Sequence, residues 1–356
     1  MKSLLVKAGC VLGVLLVLAA APAVAQEKLI LGLVTEPTLH YAPHFLAKTK
    51  YFKEEGLDVD VIAFDGSGVL LPQLNAKRVT VGWVAPDLLI AARQPGRDRM
   101  PMRFFYNGSR VSPWEIIVRD ESPIKQVSDL RGKRIGVLAL TAGNVPITKS
   151  MFQEMGMQVG KDYELVATAG NAAFHALSKG QVDALNLYDA LHAIFEARGM
   201  NIRRLPIPEK FGAVPAHGFL VHEDTLRDKR DVLVKIGRGF AKATIACDVN
   251  PEACIRNFWE LYPNQKPTEG TEAEKMKQGI IVLKAGMRKY LVFGADPRIW
   301  GQFRHQGLQD LINALHSGGQ ISTASIDPGS LYTAELIAEI NKFDTAAVIA
   351  EAKAMK

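Results

Sequence analysis

The chain has 356 residues, 48% of them apolar, and carries 43 Lys and Arg against 37 Asp and Glu, a formal charge of +6 at pH 7. That length and composition are enough for one or two hydrophobic cores and exclude a disordered or fibrous chain. The charge is spread without a Lys/Arg run or a basic–aromatic stripe, which argues against a nucleic-acid partner.

In chain order, residues 1–25 read as an export signal. Lys2 and Lys7 precede an apolar stretch from Cys10 to Ala21, and Ala23-Val24-Ala25 supplies a small-x-small cleavage pattern. The mature start is placed at Gln26, and loss of the two lysines leaves a charge of +4. The stretch is short for a membrane span, and no later stretch is long enough for one. Cys10 lies too early for a lipoprotein site. The expectation is a freely soluble protein of the periplasm.

Leu29 to Val34 reads as a strand, Thr35 to Tyr41 as a loop, and Pro43 to Tyr51 as the opening of an amphipathic helix. From Val59 to Asp87 the order is strand, small-residue loop (Asp65-Gly66-Ser67-Gly68), helix ending at Lys77, strand Val79 to Val84, then an Asp. The same order recurs from Tyr163 to Asp189, with the loop Ala169-Gly170-Asn171, a helix ending at Lys179, and the strand Val182 to Leu187. One unit occurring twice predicts an α/β fold of two similar lobes with mostly parallel sheets, facing each other across a cleft.

Between the repeats, Trp114 to Val118 and Arg134 to Leu138 read as strands, and Pro206 and Pro208 mark a boundary. His217 to His222 is again a strand, and nearly everything beyond it reads as helix, ending in an amphipathic segment from Leu331 to Ala352. One lobe is therefore inserted into the other. Lobe one takes 26–114 plus 216–356, lobe two takes 115–215, and two crossing strands near Trp114 and Gly218 form a hinge.

Cys247 and Cys254 stand seven apart, too far to bridge on one unbroken helix. Asn250-Pro251 between them predicts that one helix ends and another begins. The corner either brings the thiols into a disulfide or leaves two small buried side chains.

Ligands in open α/β sheets sit at the carboxyl ends of strands. That nominates Thr35, Glu36, Ser67, Trp83, Pro86, Asp87, Thr141, Gly143, Asn144, Asn171, Tyr188 and Asp189. Thr141-Ala142-Gly143-Asn144 is the sharpest candidate, because it follows a strand and precedes the helix-opening Val145-Pro146. Free amides there suit an anion, although Asn144 as a simple cap is the other reading. Asp189 is either a cap or a partner for a ligand cation or hydroxyl. Trp83, Tyr106, Trp114 and Tyr188 are either core or stacking platforms. His40, Tyr41 and His217 complete the candidate lining. His40 and His44 do not make a metal pair, since Pro43 breaks their spacing and no acidic or Cys cluster joins them. No metal or other cofactor is expected. No GxSxG, HExxH, phosphate loop or GxGxxG is present, which weighs against an enzyme.

Several segments carry a family resemblance: Val127-Ser128-Asp129-Leu130-Arg131-Gly132-Lys133-Arg134-Ile135-Gly136, Gly143-Asn144, Gly180-Gln181-Val182-Asp183-Ala184, Leu187-Tyr188-Asp189 and Val81-Gly82-Trp83-Val84-Ala85-Pro86. With them the chain resembles the periplasmic solute-binding proteins of the nitrate/sulfonate/taurine and thiamine-precursor group that serve ABC importers. The resemblance covers Leu29 to His222 well and the helical tail more loosely. It implies a two-lobed type II periplasmic binding architecture, hinge closure on a small and preferably anionic ligand, docking on an inner-membrane permease, and a monomer. It also implies that Gly143 and Asn144 bind the polar end of the ligand while Asp189 lines the other wall. Two motifs depart from the family. Tyr188-Asp189-Ala190 stands for Trp-Asp-Pro, and Ala142-Gly143-Asn144 for Gly-Ser-Asn, which removes one hydroxyl donor. Two rival functions share the fold: a sensor feeding a receptor kinase, and an enzyme like the pyrimidine-forming synthase.

Overall fold

The computed structural model describes residues 28–140, 142–168, 171–293 and 298–356. The export signal with its cleavage point, Thr141 and the Ala169-Gly170 pair lie outside the described residues.

Ten strands form two five-stranded sheets: β1 (Lys28–Leu33), β2 (Asp58–Ala63), β3 (Val81–Val84), β4 (Met102–Asn107), β5 (Trp114–Arg119), β6 (Arg134–Val137), β7 (Glu164–Ala167), β8 (Ala184–Tyr188), β9 (Ile202–Arg204) and β10 (Gly218–His222). The first sheet has the order β2-β1-β3-β10-β4 and the second β7-β6-β8-β5-β9. The two orders are the same design. In each, the fourth place is taken by the strand with which the chain enters that sheet after crossing over. That strand, β10 or β5, runs antiparallel to both neighbours. The remaining pairs, β1 with β2 and β3, and β6 with β7 and β8, are parallel.

The central strands read as apolar runs because both faces are covered. All of β3 and β10 is buried. Gly32 on β1 and Gly82 on β3 let helix Ser67–Asn75 settle close to the sheet. A Cβ at either would stand 2.5 or 2.6 Å from a Leu70 or Leu74 methyl. The chain crosses between sheets twice, over 108–113 and 205–217, and the crossings hydrogen-bond to each other. The amides of Gly108 and Ser109 donate to the His217 carbonyl (3.1 and 2.7 Å), Ala216 to Ser109 (2.9 Å), and Ser112 to Gly212 (2.9 Å).

Two helical expectations need correction. The helix after Tyr41 runs as Ala42–Leu46, a π-helical stretch Ala47–Tyr51, and Phe52–Glu54. There the Thr49 hydroxyl donates to the Phe45 carbonyl (3.0 Å), which competes with the regular helical ladder. The segment Leu331 to Ala352 is not one helix. Ile337–Ile340 stops at Asn341, whose amide group donates to the Trp300 carbonyl (2.9 Å), and a new helix Thr345–Ala354 starts on the Asp344 cap.

The corner between helices Arg230–Val249 and Pro251–Leu261 is fixed by Asn250. Its side chain accepts from the Ala253 amide (3.1 Å) and donates to the carbonyls of Ala352 and Met355 (2.9 and 3.0 Å). Cys247 and Cys254 form a disulfide there, with Cα atoms 5.1 Å apart. Closing so short a loop restrains the unfolded chain by about 2.5 kcal/mol. Reduction should therefore lower the melting temperature at neutral pH by several degrees; equal melting curves with and without a phosphine reductant would contradict this.

Candidate functional site

Between the two sheets lies a cavity of about 180 Å³. Ser67, Pro86 and Asp87 reach it from the loops that follow β2 and β3, and His217 from the second crossing. Trp114 at the start of β5, with Gly143 and Ile147, forms the opposing wall, and Leu311 and Leu315 of helix His305–Ser317 complete the lining. An adjoining cavity of about 250 Å³ shares Asp87, Gly143 and Leu315. Six of the sequence candidates thus converge: Ser67, Pro86, Asp87, Trp114, Gly143 and His217.

A larger cavity of about 400 Å³ is lined by Thr38, His40, Tyr188, Trp259 and residues of helices Asp189–Ala197 and Glu272–Met287. It is reached from the segment after β1 and from the end of β8, but not from the loops that follow β2, β3 and β6. Volume alone does not identify a ligand site, so the smaller cleft, where the loops after β2, β3 and β6 meet, is the better candidate.

Within the cleft, the Asp87 carboxylate accepts from the amides of its own first helical turn, and burial holds its pKa above the ordinary carboxylate value. No ion pair to it occurs among the described residues. His217 stacks on Trp83, with planes 10° apart and centroids at 6.3 Å. Burial, and then the nearby Lys289 charge, push the His217 pKa down to about 4, so the ring is neutral at pH 7. Trp83 is only 1% exposed and rests on Gly108, where a Cβ would stand 1.8 Å from the indole.

Several candidates are placed differently from what the sequence suggests. Trp83 and Tyr106 are core. Tyr106 packs between Phe219 and Phe240, with Gly301 against its ring, because β4 turns it into the lobe interior. Asn144 is buried, and its side chain does not cap its helix. Its amide donates to the Asn186 carbonyl and side chain (2.9 and 3.1 Å), and Asn186 in turn donates to Thr148. This polar knot ties helix Asn144–Glu154 to β8, so the Asn144 amide is spent inside the lobe. Asp189 is also buried, and the Lys289 ammonium donates to both of its oxygens (3.0 and 3.2 Å). Both readings of Asp189 find a counterpart inside the protein: it accepts from the Ala190 amide at the start of its helix (2.7 Å), and the cation it meets is a protein side chain.

Tyr41 is buried, with its hydroxyl 3.2 Å from that of Thr35, and burial pushes its pKa up to about 12. Thr35 and Glu36 are exposed. His40 pairs with the Thr38 hydroxyl (2.7 Å) and, with Tyr188, faces the larger cavity. Asn171 opens helix Asn171–Ser178.

Sequence reasoning missed two features. His44 is fully buried among Tyr41, Trp83 and Phe240, with no hydrogen-bond partner for either ring nitrogen, and burial pushes its pKa down to about 3. Glu115 collects His192 (3.1 Å), Arg204 (2.9 Å) and Arg288. Burial opposes its ionisation, but these donors outweigh it and hold the carboxyl at about 2. A lone charge inside the apolar run Trp114 to Val118 was the available signal.

No helix among the described residues is long and apolar enough to cross a membrane. No group of three or more His, Cys, Asp or Glu suited to a metal occurs among them.

Residues 39–254 match the family model described as NMT1/THI5 like. The chain belongs to the NMT1/THI5-like family. This NMT1/THI5-like chain is 25% identical over 240 residues to the Bacillus subtilis binding protein YtlA, a match spanning 66% of this chain and 71% of the relative. Its fold is similar to that of the MOPS-bound alkanesulfonate-binding protein SsuA of Xanthomonas axonopodis pv. citri, with TM-score 0.61, 15% identity, and coverage of 86% and 99% of the two chains. The nitrate-binding protein NrtA of Synechocystis PCC 6803 gives TM-score 0.60 at 10% identity, covering 93% and 99%. The desulfurization enzyme DSZB gives 0.55 at 14% identity, covering 88% and 99%. At these identities the structural matches show the fold, the two-lobed architecture of periplasmic binding proteins, and DSZB shows that the fold also accommodates catalysis.

Proposed function

We propose that this protein captures a small solute in the cleft between its two lobes and delivers it, from the periplasm and as a monomer, to the permease of an ABC importer. In this reading the lobes are 26–114 with 216–356, and 115–215, and the paired crossings at 108–113 and 205–217 are the hinge. The observation that carries the reading is the cavity with walls from both sheets. A ligand there contacts Ser67 and Asp87 on one side and Trp114 and Gly143 on the other, so it binds the closed arrangement better than an open one and thereby favours closure. Family membership and the binding proteins among the fold relatives support the same reading.

Gly143 provides the test. It lines both cleft cavities, its backbone is ordinary (φ −61°), and a Cβ there meets nothing within 4 Å. Gly143→Phe therefore fills the cleft without disturbing the fold. A thermal-shift panel of alkanesulfonates, nitrate, aromatic carboxylates and sulfonates, pyrimidines and small amines should yield a stabilising compound, by about 2.7 kcal/mol at a hundredfold excess over Kd. Gly143→Phe should keep the unliganded melting temperature and lose the shift, and the compound should be recovered unaltered. A shift that survives in Gly143→Phe would move binding out of the cleft, and an altered compound would make the protein an enzyme.

A further inference from the structure

The charge of the cleft bears on the class of ligand. The expectation of an anion rested on free backbone amides at the start of helix Asn144–Glu154, on Ser67 and the amides of the paired loop, and, by resemblance, on Gly143 and Asn144; of these, the Asn144 NH2 group is committed to Asn186. Among the described residues, neither cleft cavity is lined by a Lys or Arg. Lys289, whose charge acts on His217, is held by Asp189. His217 is neutral at pH 7. Among the described residues, Asp87 is the one acid in the lining, is shared by both cavities and has no ion partner. A carboxylate in a confined space repels an anion, and Asp87, held by backbone amides alone, gains a charged partner only when a cationic donor arrives. Trp114, Ile147, Leu311 and Leu315 give the wall a flat and apolar side, and Ser67, Ser112 and the His217 ring are its uncharged polar groups.

We propose that the cleft selects a small molecule with a positively charged hydrogen-bond donor, an ammonium or amidinium, which docks on the Asp87 carboxylate while its apolar body packs against Trp114 and Leu311. This rests on the capture reading above and names its ligand class. It separates this chain from relatives whose names specify sulfonate or nitrate.

The experiment pairs probes of matched shape and opposite charge. Benzamidine and benzylamine are compared with benzoate and benzenesulfonate by thermal shift and calorimetric titration on the purified protein, on Asp87→Asn, and on Asp87→Ser in case the first variant is misfolded by circular dichroism. The cations should bind and the anions should not. A charge-assisted hydrogen bond lost from a confined site should weaken the cations by roughly 10- to 100-fold in Asp87→Asn. Binding of an anion with a Kd unchanged by Asp87→Asn would overturn the ligand class and leave capture standing. The same holds for cation binding that ignores Asp87. Silence of both cations alongside a cleft-dependent hit elsewhere in the panel would likewise overturn only the ligand class. Silence of every probe would overturn both.

Discussion

Lys289→Met is expected to cost about 3–5 kcal/mol of stability, because it leaves the Asp189 carboxylate buried without its partner. Lys289 is 5% exposed and Asp189 is 1% exposed, so water cannot substitute for the lost ammonium. Met preserves most of the stem, so the effect is one of charge rather than of volume. Adding Asp189→Asn removes the stranded charge and should restore much of the loss, which a double-mutant cycle in urea would measure. Lys289 follows helix Glu272–Met287 and Asp189 opens the helix after β8, so the pair joins the C-terminal helical region to the second sheet. Arg288 and Glu115 make a second tie beside it. A cost below 1 kcal/mol for Lys289→Met would contradict this account of the buried pair.

Acid is expected to destabilise the protein earlier than its carboxylates alone would require. The His44 pKa is about 3 in the fold, against an ordinary value near 6.5 in the unfolded chain. A group depressed on folding contributes stability fully above its unfolded pKa and loses it as pH falls toward the folded one. For His44 that window runs from about 6.5 down to about 3, and the loss by pH 4 is roughly 3 kcal/mol. His217, with a pKa of about 4, acts in the same direction, and burial also lowers His40 and His192. Glu115, at about 2, adds a later loss below about pH 4.5. Chemical denaturation should therefore show a plateau above pH 6.5 and a decline beginning well before the carboxylates titrate. His44→Phe removes the titrating ring and keeps an aromatic in its place, and should flatten the decline between pH 6.5 and 4. An unchanged slope in that variant would contradict the assignment.

Much of the fold was legible because its information is local. The strands β1, β2, β3, β5, β6 and β10 are short, mostly apolar runs, and the repeated strand–loop–helix–strand unit announces two sheets of one design. Four of the six cleft positions, Ser67, Pro86, Asp87 and Gly143, followed from one rule, that loops at the carboxyl ends of strands line the crevice; Trp114 and His217 instead precede their strands, on the crossings. What was not legible depends on distant partners. Asp189 and Lys289 are 100 residues apart, and nothing near Asp189 in the sequence says that its cation comes from the protein. Asn144 sits in a loop that looks like a ligand cradle, yet Asn186, 42 residues on, claims its amide. Tyr106 and Trp83 fall at strand ends, but whether such a ring faces a cleft or a core is decided by helices packed over it from much later in the chain. The break at Asn341 was partly readable, since Asp344 is a good cap; the tie from Asn341 to Trp300 was not.

Small-angle scattering with and without a probe that shifts the melting temperature of the protein, but not of Gly143→Phe, tests solute capture between closing lobes most directly. The account predicts a smaller radius of gyration and maximum dimension with the probe bound, as the lobes swing together about the paired crossings. Superimposable curves at saturating probe would contradict it.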